Sequence, residues 1–77
     1  MKNWYIVITI ENKSTIEKWW EINGYGQRIW NIGAGYGIDD KGDVQSKSNP
    51  NDCNGKEISF EEFKHLILKT KNVNPYY

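Results

Sequence analysis

Three aspartates in a short segment are the first candidates for chemistry. Asp39, Asp40 and Asp43 could bind a cation, because carboxylate oxygens are the ligands that calcium prefers. An EF-hand loop also needs glycine at its sixth position and glutamate at its twelfth. Counted from Asp39, those positions hold Val44 and Pro50. The spacing therefore predicts no calcium site, and we expect these acids to lie in a solvated turn.

A nucleophile and a base would have to come from Cys53 and His65, the one cysteine and the one histidine. No positive charge flanks Cys53 in the sequence to lower the pKa of its thiol. His65 falls on a predicted helix, and no serine or cysteine is placed beside it. One cysteine also excludes an internal disulfide and a zinc cluster built on cysteines. We expect no catalytic residue, no metal and no cofactor, and hence no enzyme.

The glycine-rich run at Gly33, Gly35 and Gly37 has the composition of a phosphate-binding loop but not its spacing. The dinucleotide fingerprint needs a third glycine three residues after the second and a helix immediately afterwards. Position 38 is isoleucine, and the segment that follows reads as a strand. The run therefore predicts a bend or a bulge in a twisted sheet.

Aromatic residues are the main anomaly, with four tryptophans and five tyrosines among 77 residues. Large rings fill the core of a small domain efficiently. Trp19 and Trp20, however, point about 100° apart on a helix. If one of them fills the core, the other lies near its edge, where it could anchor a partner. Tyr36 lies beside a loop and is a third candidate. The predicted partner-binding residues are Trp19, Trp20, Tyr36, Asp39, Asp40 and Asp43.

Charge is segregated along the chain although ten acids and ten bases cancel. Residues 39–62 carry seven acids and three lysines, a net charge of −4. Such a region would suit a basic partner, for example an enzyme that handles nucleic acid, although a solvated hairpin is the simpler explanation. Arg28 is the only arginine, which argues against sequence-specific recognition of nucleic acid.

The first half of the chain predicts a strand followed by a helix. Residues 4–10 alternate, with Trp4, Ile6, Ile8 and Ile10 on one face, and the apolar second face favours a central strand. Ser14 and Glu17 fit a capping box, which predicts a helix from there to residue 23. Ile16, Trp19, Trp20 and Asn23 share one face of this helix at the spacing i, i+3, i+4, i+7, and Gly24 is the expected left-handed stop.

The second half predicts strands over 28–34, 36–38 and 44–48, with a type I turn and a bulge at Gly42. A loop over 49–55 and a short strand at 57–58 follow. Ser59 and Glu62 form a second capping box that begins a helix over 60–69, with Ile58 and Phe63 as its hydrophobic staple. The buried stripe of this helix is predicted to be Phe60, Phe63, Leu66 and Ile67.

The predicted fold class is α+β, in the order β-α-β-β-(β)-α. We expect a small antiparallel sheet of three to four strands with two helices packed on one face. Residues 1–71 would form one domain and residues 72–77 a flexible C-terminal tail.

The segments Gly37–Gly42 and Glu57–Lys64, the latter reading EISFEEFK, resemble many short uncharacterised phage and prophage proteins. Those proteins often combine this ending with a leading strand and a tryptophan-bearing first helix, here Lys18-Trp19-Trp20. The resemblance implies a phage context. Proteins of this size and type include anti-CRISPR and other anti-defence inhibitors, which act by binding a host enzyme.

These observations together predict a non-enzymatic, phage-encoded inhibitor in the cytoplasm of the host bacterium. Its partner would be a host defence protein, with a CRISPR effector nuclease as the leading target class. One alternative is a small module for single-stranded nucleic acid, with stacked rings and Lys64, Lys69 and Lys71 on phosphates. The other is a structural or accessory phage protein that self-associates. With no net charge, tight direct binding to nucleic acid is not expected, and nothing predicts membrane association.

Overall fold

The computed structural model describes residues 2–25 and 31–67. Four short strands and two helices follow one another in the α+β order that the sequence predicts. They are β1 Trp4–Val7, α1 Lys13–Ile22, β2 Gly35–Ile38, β3 Val44–Lys47, β4 Lys56–Glu57 and α2 Phe60–Leu66. A turn of 3-10 helix, Pro50–Asp52, lies between β3 and β4.

The first strand lies inside the sheet, as its two apolar faces predict. The strand order is β3-β2-β1-β4, so β1 has a neighbour on each side. Trp4, Ile6 and Ile8 are fully buried on one face. Ile10 was expected to join them, but β1 ends at Val7 and Ile10 is 87% exposed. The chain turns at Thr9 to begin the helix, which ends the alternation.

The sheet is mixed, which corrects the expectation that it is antiparallel. β1 pairs antiparallel with β2, and β2 with β3, but β4 pairs parallel with β1. The reason lies in residues 48–55, which carry the chain from one edge of the sheet to the other. Their 3-10 turn packs on β1 and β2, so the chain crosses a face and enters β4 in the direction of β1.

The β2–β3 hairpin has the predicted turn. Gly42 N–H donates to the Asp39 carbonyl at 3.1 Å, and Asp39 N–H donates to the Asp43 carbonyl at 2.8 Å. Gly42 has a φ of 87°, which places it in the left-handed region that a G1 bulge requires. The glycine-rich run before the hairpin contains a turn at Gly33, where φ is 95°, followed by β2 itself.

Helix α1 begins earlier than its sequence predicts, and the first capping box is wrong. The N-cap is Asn12, and Ser14 lies inside the helix. Asn12 Oδ1 accepts from the Thr9 N–H at 2.8 Å, and Thr9 Oγ1 accepts from the Asn12 N–H at 3.1 Å. Asn12 Nδ2 also donates to the Val7 carbonyl. This buried asparagine fixes the turn between β1 and α1, and the helix follows directly. Gly24, with a φ of 75°, ends it as predicted.

Helix α2 begins as predicted at the second capping box. The Glu62 N–H donates to Ser59 Oγ at 3.0 Å, and the Ser59 N–H donates to Glu62 Oε1 at 2.9 Å. Ile58 and Phe63, the predicted staple, are both buried in the core cluster. Leu66 was expected in the buried stripe but is 42% exposed.

Both helices bring rings to Trp4, which lies at the centre of the core. Its ring centroid is 5.8 Å from that of Trp19 in α1 and 5.9 Å from that of Phe63 in α2. Packing of both helices along one face of the sheet stays a prediction. Residues 28–30 of the expected strand, residues 68 and 69 of the expected second helix and the 72–77 tail lie outside the described residues; the described remainder of that strand, residues 31–34, is not a strand.

Candidate partner-binding surface

The aromatic residues form one connected cluster between the helices and the sheet. Trp19 contacts Trp4, Trp20, Tyr25 and Phe63, with ring centroids 5.4–6.1 Å apart. Most of these contacts are edge-to-face, the arrangement that the ring quadrupoles favour. The predicted use of the rings as core filler is therefore confirmed for much of the cluster.

Two of the candidate rings are not exposed. Trp20 is 3% exposed and Tyr36 is 7% exposed, and their centroids lie 5.2 Å apart at an interplanar angle of 88°. Tyr36 was expected beside a loop, but it lies inside β2 on the same face as Ile6, its cross-strand partner. A side chain used inside the core cannot also anchor a partner without unfolding. Trp20 is therefore the tryptophan of the pair that fills the core, and Tyr36 is also a core residue, which corrects its predicted role as a partner-binding ring.

Trp19 is the candidate ring at the edge of the cluster. It is partly buried, as is Tyr25, whose ring contacts both neighbouring tryptophans. One turn along α1, Ile22 is 47% exposed. Residues three apart on a helix are neighbours on its surface. We call Trp19, Ile22 and Tyr25 the aromatic rim. Of these three residues, only Trp19 was among the predicted partner-binding residues. The sequence signal for Ile22 was an apolar residue outside the predicted stripe of the helix.

The acids form a second candidate feature, the acidic tip, defined as residues 39–43. Asp39 Oδ1 accepts from the N–H groups of Lys41 and Asp43, each at 2.9 Å. This oxygen therefore holds the turn in shape. Asp40 and Asp43 are exposed. Asp39 is half-buried and its carboxylate holds the turn. Charge reversal at Asp39 would therefore disturb the hairpin.

The tip is also tied to the start of β1. The Asn3 N–H donates to the Asp39 carbonyl at 3.1 Å, and Asn3 has a φ of 65°, an uncommon conformation that asparagine tolerates. Ile38, just before the tip, pairs with Trp4, whose ring contacts Trp19. The acidic tip and the aromatic rim are therefore linked through the same end of the sheet.

The other face of the sheet carries Tyr5, Gln45 and Cys53. Gln45 is buried; its Nε2 donates to the carbonyls of Trp4 and Asn54, and its Oε1 accepts from the Asn54 N–H. Burial, with a contribution from Glu57, raises the pKa of the Tyr5 hydroxyl.

Cys53 is not the activated thiol that a cysteine nucleophile requires. Burial raises the pKa of the Cys53 thiol, and Asp52 raises it further, whereas Lys47 lowers it. Lys47 is a cation near Cys53 that the sequence did not predict. Its effect on the pKa of the thiol is smaller than that of burial. The thiol is therefore protonated at neutral pH, the opposite of what nucleophilic catalysis needs.

His65 lies exposed on α2, where its Nε2 is 4.0 Å from Glu61 Oε1. Within residues 2–25 and 31–67, no three histidine, cysteine or acidic side chains are grouped closely enough to hold a metal ion. In the same residues, neither helix has the length and apolar character that crossing a bilayer demands.

Comparison with protein-family models gives no match, and no curated protein or solved structure is significantly similar to the chain.

Proposed function

We propose that this chain is a non-enzymatic binding protein that inhibits a basic, nucleic-acid-handling host protein. A phage context makes a defence nuclease of the CRISPR effector class the leading target. The observation that carries the proposal is the hydrogen bonding of Asp39, which fixes a turn that holds Asp40 and Asp43 out to solvent. A preorganised acidic loop loses little entropy when it binds.

Electrostatics gives the acidic tip its role in association. The groove of a nuclease is lined with positive charge, because it must bind phosphates. Two exposed carboxylates on a fixed loop would be attracted to that groove and would compete with nucleic acid for it. Attraction of this kind acts mainly on the association rate and weakens as salt screens the charges.

The aromatic rim supplies the second half of the proposed interface. Trp19 is backed by rings on several sides, so the side chain has one fixed orientation. Rigid aromatic anchors are common among the residues that dominate binding energy. The rim would slow dissociation after the acidic tip has steered the encounter.

The nucleic-acid module is less well supported by the described contacts. Lys64 Nζ lies 3.4 Å from Glu61 Oε2 and 4.5 Å from the centre of the Phe60 ring. Lys69 and Lys71, the other two predicted phosphate-binding lysines, lie outside the described residues. Lysines that are already paired with acids attract phosphates less strongly.

The test is a plaque assay in host cells that carry a panel of CRISPR effector nucleases. Cells express wild type, the Asp40→Lys/Asp43→Lys variant, or a Glu11→Lys/Asp52→Lys control with the same change in charge at exposed sites outside the tip. We expect wild type and the control to restore plaques against at least one effector, and the tip variant to lose protection.

Two results would contradict the proposal. If wild type protects phage against none of the effectors, the target class is wrong. If the folded tip variant protects as well as wild type, the acidic tip is merely solvated. Melting temperatures of all three proteins, measured first, separate loss of binding from loss of fold.

A further inference from the structure

The outer edge of β3 has backbone groups without partners among the described residues. Within residues 2–25 and 31–67, β3 is the last strand of the sheet and pairs with β2 alone. The Asp39–Asp43 hydrogen bond fixes which residues face β2, because hydrogen-bonded pairs alternate along an antiparallel ladder. Gln45 and Lys47 therefore bond towards β2, and Val44 and Ser46 direct their N–H and C=O groups outward.

An unpaired edge is a template for another strand, and proteins often protect such edges with a charged side chain. Lys47 is the charge on this edge, and it is exposed. A lysine opposes pairing with most strands, since its charge must then be desolvated. It does not oppose a strand that brings an acid opposite to it.

We propose that two copies of this chain pair antiparallel through β3, with Gln45 of each copy opposite Gln45 of the other. The outward groups of Val44 then bond to those of Ser46 in the second copy. In the same register Asp43 lies opposite Lys47 twice, once on each side of the two-fold axis. The pairing joins two four-stranded sheets into one continuous sheet.

Charge selects this register over its neighbours. If one β3 strand slides along the other, the outward N–H and C=O groups of the two copies still face each other only when the shift is by two residues. A shift one way places Lys47 opposite Gln45, and a shift the other way brings Asp43 opposite Gln45. Opposite charges in directly facing positions stabilise a strand pair, and like charges destabilise it. Asp43 and Lys47 form no ion pair within residues 2–25 and 31–67, so both are available.

The dimer should be weak, because a four-residue edge provides little buried area. Stable interfaces bury about 1,200–2,000 Å² in total. We expect a dissociation constant between about 1 µM and 1 mM. This inference goes beyond the proposed function. Asp43 belongs both to the acidic tip and to the proposed dimer, whereas Lys47 lies outside the tip, so Lys47→Asp tests the dimer without altering the tip.

The experiment is sedimentation velocity at low salt, with protein concentrations up to about 1 mM. Asp43→Lys and Lys47→Asp should each weaken the dimer by about tenfold or more, because each places like charges opposite each other twice. The double variant Asp43→Lys/Lys47→Asp exchanges the charges and should restore the dimer to within about threefold. Lys41→Asp, a charge reversal in the tip, is the control and should not weaken it.

Amide hydrogen exchange locates the interface. Exchange at Val44 and Ser46 should slow as the concentration rises, whereas Gln45, already bonded to β2, should not change. A wild type that stays monomeric up to the highest concentration would overturn the proposal. So would a dimer that the single reversals leave intact, or one in which the Val44 and Ser46 amides gain no protection.

Discussion

One face of the sheet is covered by apolar side chains, whereas the other is covered by the loop of residues 48–55. Trp4 and Ile6 lie on the first face, where the Trp4 ring contacts those of Trp19 and Phe63 and both residues belong to the apolar core. On the second, Pro50 and Cys53 lie directly over Gly35, and Gln45 supplies hydrogen bonds instead of apolar contacts. Burial of apolar area holds the first face, and close approach with satisfied polar groups holds the second.

The comparison explains why the two faces differ in how well a sequence predicts them. The first face appears as alternation in Trp4, Ile6 and Ile8, because each side chain is buried by its own apolar surface. The second face depends on Gly35, where the absence of a Cβ leaves room for Pro50 and Cys53. A glycine in a strand indicates only that another part of the chain lies close to it. The sequence does not say which part of the chain that is.

The largest effect is expected on the apolar face, at Phe63. It is fully buried and contacts both Trp4 and Trp19. Phe63→Ala should lower the free energy of unfolding by about 3–5 kcal/mol and can unfold so small a protein. Chemical denaturation followed by tryptophan fluorescence measures this. Leu66→Ala, an exposed position on the same helix, is the control and should have a small effect. Equal effects at the two positions would contradict the assigned core.

The close approach of the backbones of β1 and β2 can be tested at Gly37. A Cβ there would overlap the Trp4 carbonyl oxygen and lie 2.7 Å from Tyr5 Cα. These are backbone atoms of β1, so the strands must separate. Gly37→Ala should cost about 1–3 kcal/mol. Thermal unfolding would detect it, and a melting temperature equal to that of wild type would mean that β1 and β2 are not so close.

The hydrogen bonds of the second face are tested at Gln45. Gln45→Ala removes three hydrogen bonds and leaves the Trp4 carbonyl without this donor, so we expect a loss of about 1–3 kcal/mol. Ser46→Ala, at the next residue of β3, is the matched control and should change stability by less than about 0.5 kcal/mol. If both substitutions are neutral, the loop is not held to the sheet by this side chain.

The smallest effect concerns the cap of α2 and depends on pH. The Ser59 N–H and, secondarily, Lys56 hold the pKa of Glu62 below its ordinary value of 4.5. A carboxyl whose pKa is lowered by folding contributes stability above its unfolded pKa, and this is lost as pH falls through the folded value. Stability of wild type should therefore fall on acidification below about pH 4.5 more than that of Glu62→Gln. If the stabilities of wild type and Glu62→Gln fall in parallel as the pH is lowered, the Glu62 carboxylate does not stabilise the cap of α2.

The sequence predicted the local structure correctly where one or two residues decide the backbone conformation. Gly42 specifies the hairpin turn, and Ser59 with Glu62 specifies the start of α2. The same logic failed at Ser14, because Asn12 bonds to Thr9 and Val7 and begins α1 two residues earlier. The parallel pairing of β4 could not be predicted, since two residues carry no alternation that distinguishes the directions.

The candidate surface was predicted in part for the same reason. Turn chemistry correctly placed Asp40 and Asp43 in solvent. Spacing alone could not tell which of Trp19 and Trp20 lies at the edge, because that depends on how α1 meets the sheet. Tyr36 was correctly placed in a strand, but its burial was missed because the glycines beside it indicated a bend or a bulge, whereas Gly35 and Gly37 are part of β2.

The most direct test of the proposed inhibition is nucleic-acid cleavage by a purified CRISPR effector nuclease, titrated with this chain. The effector is the one against which the plaque assay finds protection. We predict that wild type and Glu11→Lys/Asp52→Lys inhibit cleavage at similar concentrations, and that Asp40→Lys/Asp43→Lys needs at least about tenfold more protein. Inhibition by wild type should weaken as salt rises. Cleavage that is unaffected by wild type, or inhibited equally by the folded tip variant, would contradict the account.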